Sequence, residues 1–285
     1  MSIEFIVDKG KCIGCGLCVK DCSPKILALD ENKKPQVVEE RENNCMKCQH
    51  CLCVCPVGAI SILGKNPENS SECQNSFNSE EILQLIKERR SVRFYQKKNV
   101  EQMEQLKEML NYVPTGVNNH NLQFIFVEDI NVMDRLRDKV SKVLIELTSK
   151  SKFVQKQFGR YIKPIQNGED IIFRGAPHML VVLTPKNAPC KDVDPIIALS
   201  YFELYAKSLG ISTCWCGLAY YCFKFIPQLR GLLNIPKTHD VGYCMLFGYP
   251  DIQYKRTIQP VEYKKSVLSE IKDKELSFFE KIFNN

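Results

Sequence analysis

Hydrophobic positions change their spacing along this chain. Up to residue 64 they come in short pieces, Ile26-Leu27-Ala28-Leu29 and Ala59-Ile60-Ser61-Ile62-Leu63. Residues 65–78 are polar and rich in turn formers, and read as a linker. Beyond them the pattern becomes mixed α/β. Asn78 or Ser79 can cap a helix that has Glu80 and Glu81 in its first turn and Ile82, Leu85 and Ile86 on one face. Val100, Met103, Leu106 and Leu110 mark a second helix. Phe124-Ile125-Phe126-Val127, Met179-Leu180-Val181-Val182-Leu183 and Tyr243-Cys244-Met245-Leu246-Phe247 read as buried strands. Another helix is expected to start with Asp194 as N-cap and Pro195 at its first position, and to stop at Gly210, which suits the left-handed C′ position.

Composition changes this picture at one residue type. The chain has 285 residues, 44% hydrophobic and 25% charged, so a sizeable core can form. A formal charge of +6, with basic residues spread out, gives no reason to expect nucleic acid. No apolar run approaches the roughly 20 residues of a membrane span, and the acidic, short apolar N-terminus is unlike a signal peptide. The expectation is a cytosolic protein. Of 15 cysteines, however, nine fall between Cys12 and Cys55. In a compartment that keeps thiols reduced, such clustering points to metal rather than disulfides.

The cysteines form an internal repeat. Cys12, Cys15, Cys18 and Cys22 recur 33 residues later as Cys45, Cys48, Cys51 and Cys55, each run reading C-x2-C-x2-C-x3-C. One [4Fe–4S] cube needs four thiolates from different directions. Three cysteines at this spacing wrap one cube, and the fourth of each run completes the other. The expected sets are Cys12, Cys15, Cys18 and Cys55, and Cys45, Cys48, Cys51 and Cys22. Gly14 and Gly16 let the backbone curl so that its amides approach cluster sulfurs. Paired zinc sites are the competing reading; a doubled four-cysteine run with a fixed offset favours iron–sulfur. The repeat gives Cys53 no ligand role, and His50 reads as a loop residue. Residues 1–64 resemble the bacterial two-cluster ferredoxins. Cys55-Pro56 matches the family's proline after the fourth cysteine, whereas Cys22-Ser23-Pro24 displaces it by one.

Four separated segments suggest a second cofactor. In Arg89-Arg90-Ser91-Val92-Arg93 an extended backbone puts residues 89, 91 and 93 on one face, two guanidinium groups and a hydroxyl suited to phosphate. Pro114-Thr115-Gly116-Val117-Asn118 opens a polar loop that runs into a buried strand. Trp215, the only tryptophan, follows a helix stop and precedes Cys216-Gly217-Leu218. Lys255-Arg256 is a late basic pair. Each segment alone has an ordinary explanation: a helix end, a connecting loop, a core tryptophan beside small buried thiols Cys214 and Cys216, a surface pair.

Their order and spacing together resemble the FMN-dependent nitroreductases over residues 80–260. The resemblance implies that Arg89, Arg90, Ser91 and Arg93 grip the FMN phosphate, with Lys255 and Arg256 assisting. It implies that Trp215, Gly217 and Leu218 contact the flavin ring, and that Pro114, Thr115, Gly116 and Asn118 reach it from the partner subunit of a homodimer. His120-Asn121-Leu122 stands where the family commonly has glutamine, proline and tryptophan. The zone 139–175, with Phe153, Phe158 and Tyr161, reads equally as a lid over the flavin or as a surface helix with one buried stripe.

The fold class expected is α+β: a small ferredoxin-like two-cluster domain over 1–64, a linker over 65–78, and an α/β nitroreductase-type FMN domain over 79–285. The expected function is an oxidoreductase that passes electrons through two [4Fe–4S] clusters to FMN and on to a small organic acceptor. An electron carrier or redox sensor without substrate chemistry is the alternative. Reduced ferredoxin or another iron–sulfur protein is the expected donor. NAD(P)H is a second option, although no dinucleotide-binding glycine signature is present.

Overall fold

In the computed structural model, residues 3–74 and 76–269 are described; Met1, Ser2, Asn75 of the expected linker and 270–285 of the expected second domain lie outside. Residues up to Gln253 form one unit and those from Tyr254 form another, exposed and without regular secondary structure where described.

The cysteine repeat folds as two interleaved halves. Strand β1 (Phe5–Val7) leads into the first run, whose α1 (Leu17–Asp21) is followed by β2 (Leu27–Leu29). Strand β3 (Pro35–Val37) leads towards the second run, whose α2 (His50–Cys53) is followed by β4 (Ile60–Ile62). β1 pairs antiparallel with β4, and β2 with β3. Each ribbon therefore joins the strand before one cysteine run to the strand after the other. That exchange carries Cys55 to the first run and Cys22 to the second. The core here is small: Ile26, Leu27, Leu52, Ile60 and Ile62 pack with Cys18 and Cys51. A region this size gains further stability from a metal centre.

After a short 3-10 turn at Pro67–Asn69, α3 (Ser79–Glu88) begins where expected, with the Asn78 side chain accepting from the Glu80 and Glu81 amides. There follow α4 (Met103–Met109), β5 (Gln123–Val127), α5 (Ile130–Thr148), α6 (Lys152–Gln166) and β6 (His178–Pro185). The chain continues through α7 (Asp194–Ser208), β7 (Ser212–Trp215), α8 (Gly217–Phe225), α9 (Pro227–Leu232) and β8 (His239–Gly248). Strands order as β5-β6-β8-β7, every pair antiparallel.

The continuous apolar run of β6 follows from its place in the middle. Met179, Val181 and Leu183 face a core built with α5, α6, α8 and α9, while Leu180 and Val182 face a second core with α4 and α7. A strand covered on both faces carries no polar alternation. Truncating one of these side chains to alanine costs about 2–5 kcal/mol. Val100, Met103, Leu106 and Leu110 are buried together, as the periodicity of that segment requires. Among the described residues no helix is long and apolar enough to cross a membrane.

Two details depart from the sequence reading. Asp194 is the first residue of α7 rather than its cap, because its carboxylate faces a loop instead of the helix's own amides. Phe158 is fully buried in the larger core, beside Val154 and Ile162 of the same helix, which removes it from any lid.

Candidate functional site

The eight cysteines of the repeat line two separate cavities. One is lined by Cys12, Cys15, Cys18 and Cys55. The other is lined by Cys22, Cys45, Cys48 and Cys51. All eight are free thiols. Burial pushes the Cys18 thiol up, with Cys15 and Cys55 adding to the shift. Burial likewise pushes Cys51 up to about 12, with Cys48, Cys45 and Cys22 adding. The neighbours that raise each thiol are members of its own set. Among the described residues no three His, Cys, Asp or Glu are placed to hold a single metal ion; the thiols are spread around a void. Main-chain amides already point at sulfur: Ala59 N donates to Cys55 Sγ over 3.2 Å and Lys47 N to Cys45 Sγ over 3.4 Å. Such bonds stabilise thiolate and tune a cluster's potential. The donor set fits two cubes.

Both cysteine loops turn through left-handed backbone. Gly14 and Gly16 have φ of 70° and 72°, and their repeat partners Lys47 and Gln49 have 54° and 60°. A Cβ on Gly14 would also lie 3.0 Å from the Lys33 carbonyl oxygen. His50 opens α2 with Nδ1 3.2 Å from Asp21, and Cys53 is exposed. His50 lines the second cavity beside its cysteines, whereas Cys53 lines neither cavity.

The basic segment leaves α3 in extended conformation and runs beside β7, with Val92 N donating to Thr213 O over 2.9 Å. Arg89 Nη1 reaches Glu203 Oε1 at 3.3 Å. Arg93 donates to the Ser91 carbonyl over 3.2 Å. Arg90 donates through Nη1 to the Lys87 carbonyl over 2.8 Å, but its Nη2 is buried with no partner. A buried guanidinium nitrogen without an acceptor is costly, and an anion beside it removes that cost. The segment fits a phosphate on this observation.

Glu203, on α7, organises the next part. Its carboxylate is buried and accepts from Arg89, from Thr213 Oγ1 at 3.1 Å and from Trp215 Nε1 at 3.1 Å. One side chain thus fixes both the basic segment and the tryptophan. Sequence reading passed over it; the available signal was a lone charge within the apolar run from Pro195 to Ala206. Trp215 also meets Tyr243 edge-on, with ring centroids 5.4 Å apart, and Tyr243 stacks on Tyr220 at 4.8 Å. Gly217 opens α8 beside the Tyr243 hydroxyl, where an added Cβ would lie 3.3 Å from that oxygen. Leu218 packs against the larger core. Cys214 and Cys216 are buried; burial holds Cys216 at about 12, and its sulfur accepts from Ala219 N as the cap of α8.

The Pro114–Asn118 loop is held by Asp194. Oδ1 accepts from Gly116 N at 2.9 Å and Oδ2 from Asn119 Nδ2 at 3.3 Å. Gly116 is obligatory, since a Cβ there would sit 2.3 Å from Cys190 Sγ. Thr115 Oγ1 accepts from His120 N at 3.0 Å, and Pro114 is exposed. Asn118 Nδ2 donates to the Met46 carbonyl over 3.0 Å, a contact no sequence signal announced. Phe153 packs against Phe225 with centroids 5.4 Å apart, and Arg160 lies over Tyr161. Lys255 and Arg256 fall in the second unit.

Comparison with known proteins accounts for both halves. A family described as "4Fe-4S dicluster domain" matches residues 11–59, and the nitroreductase family matches residues 86–249. An uncharacterized ferredoxin of Methanocaldococcus jannaschii is 39% identical over 77 residues, covering 26% of this chain and 97% of that one. A ferredoxin of Pyrobaculum islandicum is 43% identical over 58 residues, which cover 20% of this chain and about half (51%) of the relative. Among solved structures, a nitroreductase with bound FMN from Bacteroides fragilis aligns with a TM-score of 0.53 at 22% identity, over 67% of this chain and 99% of that one. Another with bound FMN, from Desulfitobacterium hafniense, gives 0.51 at 22% identity, over 67% and 100%. At that identity the likeness is one of fold, and the match to the family itself spans more than half of the chain. The protein belongs to the nitroreductase family, and carries an iron–sulfur ferredoxin-type segment ahead of the family's fold in the same polypeptide.

Proposed function

We propose that this oxidoreductase holds two [4Fe–4S] clusters and FMN, takes single electrons from a reduced iron–sulfur protein and delivers them to a small organic acceptor. The observation that carries the reading is the composition of the two cavities: each draws three cysteines from one run and the fourth from the other. Bound there, the clusters supply one-electron transfer and the flavin supplies two-electron delivery to an acceptor.

The chain's own residues bind and orient. Arg89, Arg90, Ser91 and Arg93 hold the FMN phosphate, with Arg90 Nη2 as the buried donor awaiting an acceptor. Glu203 keeps Arg89 and Trp215 in place while Trp215, Gly217 and Leu218 line the ring. Pro114, Thr115 and Gly116 serve the flavin held by a second copy of the chain, whereas the Asn118 side chain is taken up by Met46 and His120. A homodimer also explains α7, which is apolar on nearly every side yet exposes Ile196, Tyr201 and Tyr205 beside the exposed Ile82 and Ile86 of α3. A helix apolar all round is one that gets covered.

Anaerobic native mass spectrometry tests the whole reading at once. The expected particle is a dimer carrying, per chain, eight irons, eight sulfides and one FMN. A zinc-loaded or flavin-free particle contradicts it.

A further inference from the structure

The two cysteine sets differ in what they touch. Met46 lies between Cys45 and Cys48 and lines the second cavity. Its carbonyl accepts from Asn118 Nδ2, 72 residues away in the chain, on the loop that leads into β5. Both ends of that amide are engaged, since Asn118 Oδ1 lies 2.8 Å from His120 Nε2. The loop is anchored from behind by Asp194 through Gly116 and Asn119. It is also strained. Val117, Asn118 and His120 have φ of 48°, 53° and 47°, and a β-branched valine there is an outlier. Strain of this kind persists where the surroundings over-determine the conformation, and it gathers at functional joints.

Helix α7 links this joint to the flavin residues. Asp194, which anchors the loop, and Glu203, which holds Arg89 and Trp215, are nine residues apart on that helix. At 1.5 Å per residue this is about 14 Å along its axis. The first cavity has an outward aspect instead. Cys15 is exposed, and so are Ile13, Leu17 and Val57 of the cavity lining.

Resting on the iron–sulfur flavoprotein reading, we propose an order for the relay. The first set (Cys12, Cys15, Cys18, Cys55) receives electrons from the donor. The second (Cys22, Cys45, Cys48, Cys51) faces the flavin fold, held there by Asn118 as a positioning residue. Each transfer oxidises one reduced iron–sulfur donor by one electron. Two such transfers, with two protons taken from water, reduce one flavin fully. The exposed apolar rim of Ile13, Leu17 and Val57 is then the face that meets the donor.

Two variants of the full chain separate the hydrogen bond from the backbone. Asn118→Gly keeps the left-handed conformation without strain and loses the side chain. Asn118→Asp keeps an acceptor for His120 and loses the donor to Met46. In both, amide hydrogen exchange over residues 45–51 is expected to quicken at least fivefold, with residues 12–18 unchanged. On mixing with reduced ferredoxin, iron–sulfur bleaching keeps its rate. Flavin bleaching, normalised to bound flavin, slows tenfold or more. Unchanged protection at 45–51, or an unchanged flavin rate, overturns the order, as does an equal slowing of iron–sulfur bleaching. Wild-type protein that lacks iron, sulfide or flavin overturns the functional reading itself, and with it the relay.

Discussion

The two cysteine loops repeat one backbone with different residues. At the third and fifth positions of the first run, Gly14 and Gly16 take left-handed φ without penalty; at the same positions of the second, Lys47 and Gln49 take it against their own preference. After the fourth cysteine the pattern reverses, with Lys25 at φ 54° and Gly58 at φ 58°. Residue choice therefore does not set the curl of the loops. The convergence of thiols sets it, and glycine only lowers its cost where it happens to stand. The loop that lacks these glycines is also the one that Asn118 touches, so the strained side of the repeat is the side joined to the nitroreductase fold.

The largest expected effects concern how the sets cross. Cys55→Ser is expected to remove about half of the iron and to leave an EPR signal like that of Cys15→Ser, although Cys55 lies in the second run. Cys22→Ser is expected to match Cys48→Ser in the same assay. A Cys55→Ser protein that instead resembles Cys48→Ser breaks the crossed assignment. Next comes Glu203→Ala, which strands a half-buried tryptophan N–H and a buried threonine hydroxyl and unpairs Arg89. It is expected to lower stability by about 3 kcal/mol and to weaken FMN retention together. Denaturant unfolding and flavin titration check the two effects separately.

Smaller effects sharpen the comparison of the loops. Gln49→Gly is expected to stabilise the second loop and Gly16→Ala to destabilise the first, each by about 1 kcal/mol in thermal unfolding. Equal signs for the two changes contradict equivalence of the positions. The smallest effect per group lies in the nitroreductase core, where burial raises Cys216 from 9.0 to about 12 and pushes up Cys222 and Cys244. A thiol that holds its proton more tightly when folded stabilises fully below pH 9, and that stability falls as pH rises from 9 towards 12. The expected result is a Tm that falls as pH rises above 9. A Tm that does not fall over that range contradicts it.

Much of this was legible in the chain. A cysteine repeat with fixed spacing declares its geometry because thiol convergence leaves few solutions. Three of the four strands of the main sheet announce themselves through apolar runs such as Met179–Leu183; β7, Ser212–Trp215, carries none. The start of α3 was readable from Asn78 and the end of α7 from Gly210. What stayed hidden depends on the third dimension. Nothing local distinguishes Phe158 as core from Phe158 as lid, because both place an aromatic on an amphipathic helix. Asp194 looks like a cap by type and position, and only the approach of Gly116 and Asn119 redirects its carboxylate. Glu203 and the Met46–Asn118 contact join segments more than seventy residues apart or pair a side chain with a carbonyl, which no spacing rule encodes.

The central claim is that electrons reach the flavin through the eight thiol ligands. Anaerobic stopped-flow mixing with reduced ferredoxin and, separately, with NADPH tests it most directly. Bleaching of the iron–sulfur absorbance before that of the flavin, with reduced ferredoxin, is the predicted result. Flavin reduction by NADPH alone, with the iron–sulfur absorbance never turning over, would contradict it.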